Sequence, residues 1–168
     1  RVCQTTGWRA DKTLWIFAAL VLVFNLRSAA DPTRDAQLQF DLGEVYLRKG
    51  SYELAAAHAQ KALQLEPTYN YARHNLAVAL FNLGALDRAI VAGEETVREN
   101  PQRPDTHALL GRAYAKQSDF QRAEQSFRRA LDIDPSSGLT HYYYGRFLYQ
   151  ARRYERASAA FEQAAAWK

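Results

Sequence analysis

Beyond Asp35 the chain copies itself every 34 residues, in several columns at once. Gly43, Ala77, Gly111 and Gly145 stand at that spacing, and so do Pro67, Pro101 and Pro135. Ala55, Ala89, Ala123 and Ala157 make a third column. Ala62, Ala130 and Ala164 make a fourth, with Thr96 or Val97 in the second copy. A fixed period shared by independent columns marks an array of small supersecondary units, none of which can bury its apolar face alone. That constraint removes most folds before any residue is considered singly.

Each copy reads as two helices. In LQFDLGEVYLRKG the apolar residues Leu38, Leu42, Val45 and Tyr46 fall at helical spacing, and Gly50 ends the run. Ser51 is placed to cap the next helix, which must stop before Pro67. The same grammar recurs in YARHNLAVALFNLG, in DTHALLGRAYAKQS and in LTHYYYGRFLYQAR, each followed by a second helical run. Gly43, Gly111 and Gly145 are expected where paired helices cross closely, and the prolines where each copy ends.

These residues resemble the tetratricopeptide repeat. Leu42, Gly43 and Tyr46, and again Leu110, Gly111 and Tyr114, reproduce its LG-x-x-Y pattern, and the third copy continues with Ala123, Phe127, Ala130 and Pro135. An early Trp of the pattern is replaced by Gln39, Arg73, His107 and His141. The second copy departs further, with Ala77 for Gly and Leu80 for Tyr. The resemblance implies an all-α, right-handed superhelix of antiparallel helix pairs. About four repeats are expected, at 36–69, 70–103, 104–137 and 138–168. The proline closing the fourth would fall just past Lys168, so Phe161 and Trp167 are expected to meet something further.

The resemblance also implies a non-catalytic scaffold, with the first helix of each pair lining a concave groove that takes an extended peptide or another protein's helix. Helical spacing then selects Phe40, Glu44, Leu47 and Arg48 from the first copy, and Tyr71, His74, Val78, Phe81 and Asn82 from the second. The third copy adds Asp105, Ala108, Arg112 and Lys116, and the fourth Tyr142, Arg146, Tyr149 and Gln150. Arg48, Arg112, Lys116 and Arg146 outweigh Glu44 and Asp105. Cations among aromatics suit a partner with acidic and apolar side chains. Phe40 and Glu44 stand where the family's Lys/Asn carboxylate clamp would begin, so a clamp of that type is not expected.

No catalytic constellation, metal site or cofactor is expected. Cys3 is the only cysteine, which excludes an internal disulfide and a cysteine-based zinc site. His107 and His141 share one column of successive repeats, and periodicity accounts for them. Net charge of +4 is modest for nucleic-acid binding. Acidic residues interleave with the basic clusters at Arg128–Arg129 and at Arg152, Arg153 and Arg156.

Residues 14–26, LWIFAALVLVFNL, form the longest apolar run, after a flank at 1–13 and before a linker at 27–35. As a helix, Thr13 to Leu26 would span roughly 21 Å at about 1.5 Å per residue, against a hydrocarbon core of roughly 30 Å. Flanking Lys12 and Arg27 and interfacial Trp15 make a short transmembrane anchor the favoured reading, ahead of a signal segment and of packing within the protein. Arg1, Arg9 and Lys12 before the run, against Arg27 and Arg34 after it, tilt the repeats to the extracytoplasmic side of a membrane. The chain contains no methionine and starts at Arg1, so a longer parent is expected. The alternative to a tethered scaffold is the C-terminal tail of a polytopic membrane enzyme such as a glycosyltransferase.

Overall fold

The computed structural model describes residues 31–167, which form eight helices and no strand. They are α1 Pro32–Arg48, α2 Tyr52–Leu65, α3 Asn70–Asn82, α4 Leu86–Glu99, α5 Pro104–Lys116, α6 Phe120–Ile133, α7 Gly138–Gln150 and α8 Tyr154–Ala166. The period found in the sequence is therefore one helix pair. The helix assigned to 14–26 lies outside the described residues. Among those described, no helix is long and apolar enough to cross a membrane.

Helix α1 begins at Pro32, inside the stretch read as linker. Asp31 accepts from the Thr33 amide at 3.0 Å and Pro32 occupies the first helical turn, so the start is set locally rather than by the apolar pattern. The expected cap at Ser51 is not made: Ser51 stands at the N-cap of α2, but its side chain bonds no backbone amide of the helix. Asp119 and Ser137 do cap α6 and α7, accepting from Arg122 N and Thr140 N.

Every helix pair turns through one left-handed residue in a single column: Gly50 (φ 73°), Gly84 (φ 80°), Ser118 (φ 62°) and Arg152 (φ 59°). The two amides that follow each first helix bond back to its last turn, as in Gly84 N to Phe81 O and Ala85 N to Leu80 O, closing a Schellman-type end. Glycine adopts this backbone freely, whereas a side chain is crowded by about 1–2 kcal/mol. Ser118→Gly and Arg152→Gly should each raise stability by about 0.5–1 kcal/mol after the entropy lost by glycine is subtracted. Thermal melting of the two variants checks this, and an unmoved or lowered midpoint would refute it.

Within a pair the helices pack along their length, and each second helix also packs on the first helix of the next pair. First helices of successive pairs touch one another, while second helices do not. That asymmetry bends the stack, with α1, α3, α5 and α7 on the inner face and the others splayed outside. The core is built from alanines in the repeat columns, among them Ala55, Ala89, Ala123 and Ala157, with Phe127 and Leu148 the largest fully buried apolar side chains. Thr96, not Val97, continues the column of Ala62 and Ala130; it is fully buried and its hydroxyl donates to Ala92 O at 2.7 Å.

The column that replaces the early Trp has a structural purpose. His107 and His141 each place Nε2 against the carbonyl of the preceding loop proline, Pro101 at 3.0 Å and Pro135 at 2.9 Å. Arg73 does the same with Pro67 O at 2.5 Å. The repeated histidines tie α5 and α7 to the loops before them, and Arg73 does so for α3.

Candidate concave docking groove

Arg112, on the inner face of α5, is held between two rings. Its guanidinium carbon lies 4.4 Å from the centre of Phe81 on α3 and 4.1 Å from that of Tyr143 on α7. Lys116, one turn along, sets its ammonium 4.7 Å from the same Phe81 ring. Cation–π contacts contribute about 0.5–1 kcal/mol where exposed, as at Lys116, and about 2 kcal/mol where desolvated; those of Arg112 occupy the faces of the guanidinium and leave its N–H edge unused. Among the described residues Arg112 makes no ion pair and no hydrogen bond, although it is half-buried. Burial pulls its pKa below the usual arginine value, Tyr143 acts the other way, and neighbouring Arg146 lowers it further. The N–H edge is open to water, and a bound anion could replace that water with charge-assisted hydrogen bonds.

Two cavities flank this side chain. One, of about 540 Å³, is bounded by Phe81, Asn82, Lys116, Arg146, Tyr149 and Gln150, with Phe127, Phe147 and Phe161 behind them. The other, of about 300 Å³, runs past His74, Val78, Asp105, Ala108 and Tyr143. Arg112 borders both, so a single extended chain could cross it with a side chain in each.

The spacing argument therefore brought Phe81, Asn82, Arg112, Lys116, Arg146 and Tyr149 to one cavity and His74 with Arg112 to the other. Phe81 differs in role from the expectation: it is only 3% exposed and forms the floor on which the two cations rest. Tyr142 packs against Tyr143 and Phe161 (centroids 5.6 and 6.0 Å), with Arg146 5.9 Å over its ring. Phe40 and Tyr71 belong to a separate cluster with Tyr69, their rings 5.2–6.4 Å apart, and Arg103 covers Tyr71 at 4.5 Å. Glu44 and Arg48 border neither cavity. Tyr143, Phe147, Phe161 and Arg103 are contributions the sequence did not reveal. The run Tyr142–Tyr144 was the available signal for the first, since one of three consecutive helical aromatics must face the neighbouring repeat.

His74 is fixed beneath the smaller cavity, its Nδ1 2.7 Å from the Thr106 hydroxyl. Burial is the main reason its pKa falls from 6.5 to about 4; Arg103 adds to the drop and Asp105 opposes it. Between those pH values the unfolded chain binds the proton and the folded one does not. Stability should thus be flat above pH 6.5 and decline as pH falls through that window, by about 2 kcal/mol between pH 7.5 and 5. His74→Gln should flatten that part of the profile, and denaturant titrations at the two pH values check it; equal slopes in both proteins would refute it.

On the outer face the basic cluster is largely spoken for. Glu124 accepts from Arg128 and Arg156, both at 2.9 Å, and from Arg153, while Arg156 also reaches the Tyr144 hydroxyl at 2.7 Å. One carboxylate thus gathers three arginines and fixes their side chains, leaving the cluster net positive. No group of three His, Cys, Asp or Glu side chains able to hold a metal ion occurs among the described residues.

Family models described as tetratricopeptide repeat match residues 26–70 and 40–104, and again 114–168. The chain is 27% identical over 127 residues to the type IV pilus assembly protein PilF of Pseudomonas aeruginosa, covering 76% of this chain and 36% of that one. It is 22% identical over 129 residues to the human mitochondrial import receptor subunit TOM70, covering 73% and 21%. The chain thus spans well under two thirds of these relatives. A solved tetratricopeptide-repeat protein of Thermus thermophilus superposes with a TM-score of 0.75 at 22% identity, over 79% of this chain and 74% of that one, a likeness of fold. The alternative of a membrane enzyme's tail draws no support from these relatives.

Proposed function

The chain belongs to the tetratricopeptide repeat family, and from that premise we propose that its concave face is a protein-docking groove for an extended segment in which an acidic side chain stands beside an apolar one. The carrying observation is Arg112, ring-stacked on both faces and without a carboxylate partner among the described residues. A carboxylate meeting its N–H edge would form charge-assisted hydrogen bonds in a partly dry setting, where they are stronger than on open surface. Lys116 and Arg146 add positive potential along the same path. The larger cavity, backed by Phe127, Phe147 and Phe161, fits the apolar neighbour.

Relatives whose names describe import reception and pilus assembly are consistent with a binding rather than a catalytic role. The direct test is selection from a random displayed-peptide library on the immobilised chain. Enriched sequences should pair Asp or Glu with a large apolar residue. Enrichment of basic peptides, or of none above background, would overturn the reading.

A further inference from the structure

Three cations border the larger groove cavity, and no carboxylate does. Arg112 and Arg146 stand in one column of successive repeats, on the touching helices α5 and α7, and Lys116 follows Arg112 by one turn. None of the three forms an ion pair among the described residues. Neighbouring cavities are mixed in charge. The smaller one sets Asp105 and Asp134 beside Arg112, and the one along the outer face of α6 sets Glu124 and Asp132 among Arg128, Arg129 and Arg153. In the larger groove cavity Arg112 and Arg146 also repel each other: Arg146 adds to the fall that burial causes in the Arg112 pKa.

We propose that the acidic side chain taken by this cavity is a phosphorylated serine, threonine or tyrosine, an inference that rests on the groove reading above and narrows it. Against three cations, one carboxylate leaves two positive charges unmatched. A phosphate monoester carries about −1.5 to −2 near neutral pH and sets three acceptor oxygens at one point. The Arg112 fork is held between its two rings for a bidentate contact, while Lys116 and Arg146 are exposed and can swing onto the same group. Arg112 and Lys116 are about 6 Å apart along α5, and packed helices stand about 8–10 Å apart, distances that side chains of this length bridge. A pair of carboxylates is the poorer match. Side chains on one face of an extended segment recur every second residue, about 7 Å apart. The next such place belongs to the apolar side chain over Phe127, Phe147 and Phe161, so one acidic residue must bring the extra charge itself. A nucleic-acid strand fits less well, because its repeating phosphates would run on toward Asp105 and Asp134.

The test measures binding of the full chain to short degenerate peptide pools that differ only at a fixed central residue: serine, glutamate, phosphoserine or phosphotyrosine. At least one phosphorylated pool should bind about tenfold more tightly than the glutamate pool at pH 7.5, and Lys116→Gln/Arg146→Gln should shrink that advantage to about threefold or less. No His, Asp or Glu lines the cavity, so the advantage should also fall by pH 5.5, below the phosphate's second ionisation at about pH 6. Equal binding of glutamate and phosphorylated pools would overturn the inference and leave the groove reading standing. Binding of no acidic pool above the serine pool would overturn both. A 5′-phosphorylated oligothymidylate that binds more tightly than every peptide pool would overturn the inference in favour of nucleic acid.

Discussion

Replacing Arg112 by glutamate is expected to lower affinity for an acidic, apolar peptide by at least about 100-fold, with helical circular dichroism unchanged. A hydrogen bond to a charged group contributes about 1.5–3 kcal/mol, so removal alone gives roughly 10- to 100-fold, and reversing the charge adds repulsion. The side chain rests between Phe81 and Tyr143 and has no ion pair among the described residues, so reversing its charge removes two cation–π contacts and lowers the melting midpoint without unfolding the helices. Arg112→Met, which keeps the apolar cover over Phe81, separates packing from charge: it should bind weakly and melt closer to the wild type than Arg112→Glu does. Lys116→Glu changes an exposed cation and should weaken binding only a few-fold. Arg112→Lys is the sharpest control, because lysine keeps the charge and loses the planar fork between the rings. Full binding by Arg112→Lys would mean that potential alone holds the partner. Full binding by Arg112→Glu would remove Arg112 from the site.

Much of this was legible in the sequence because it is periodic. Helix ends follow from columns that recur at Gly50 and Gly84, and at Pro67, Pro101 and Pro135, and the period itself reports the stacking. The groove was legible to the extent that one helix face defines it: Phe81, Arg112, Lys116, Arg146 and Tyr149 share a face and share a cavity. Tyr143 was not, because its column is an inter-repeat packing column, where Leu109 is buried. The long arginine of one repeat reaches into the packing layer of the next, which spacing within a helix cannot show. Helical spacing places Phe81 on the concave face, and the structure makes it a buried floor there, since spacing does not tell how deep a concave residue sits. Glu124 was equally hidden: charges read along α6 and α8 do not say that one carboxylate gathers three arginines. At Pro32 and Ser51 the local hydrogen bonds, rather than propensity, decided where a helix begins and whether it is capped.

The glycine column should split by sign, which a generic packing account would not anticipate. Two of its members meet the ring sixteen positions later on the partner helix, Gly111 with Phe127 and Gly145 with Phe161, whereas Gly43 meets the backbone of Ala55 and Ala59. A methyl group on Gly111 would sit 2.9 Å from Cγ and Cδ2 of Phe127, which is 1% exposed and wedged against Tyr144 and Phe147 with ring centres 5.6 Å away. The ring has nowhere to go. Overpacking of about 1–3 kcal/mol should therefore outweigh the roughly 1 kcal/mol by which alanine favours a helix over glycine. Gly111→Leu, with more bulk, should lose about 3 kcal/mol, or roughly 6–12 °C in melting midpoint for a chain of this size. Gly145 meets Phe161 at 2.8 Å, but that ring is only half-buried and can swing outward, so Gly145→Ala should cost less. At Gly43 the nearest atom is Ala55 O at 3.6 Å, ordinary contact distance, and Gly43→Ala should stabilise by up to about 1 kcal/mol through helix propensity. Trimming the obstacle provides the internal check: in a Phe127→Leu background the penalty of Gly111→Ala should shrink, giving a coupling energy of about 1 kcal/mol or more in a double-mutant cycle. Additive effects, or a Gly43→Ala variant that melts as early as Gly111→Ala, would show that the column is small for helix geometry in general and not for the ring opposite it.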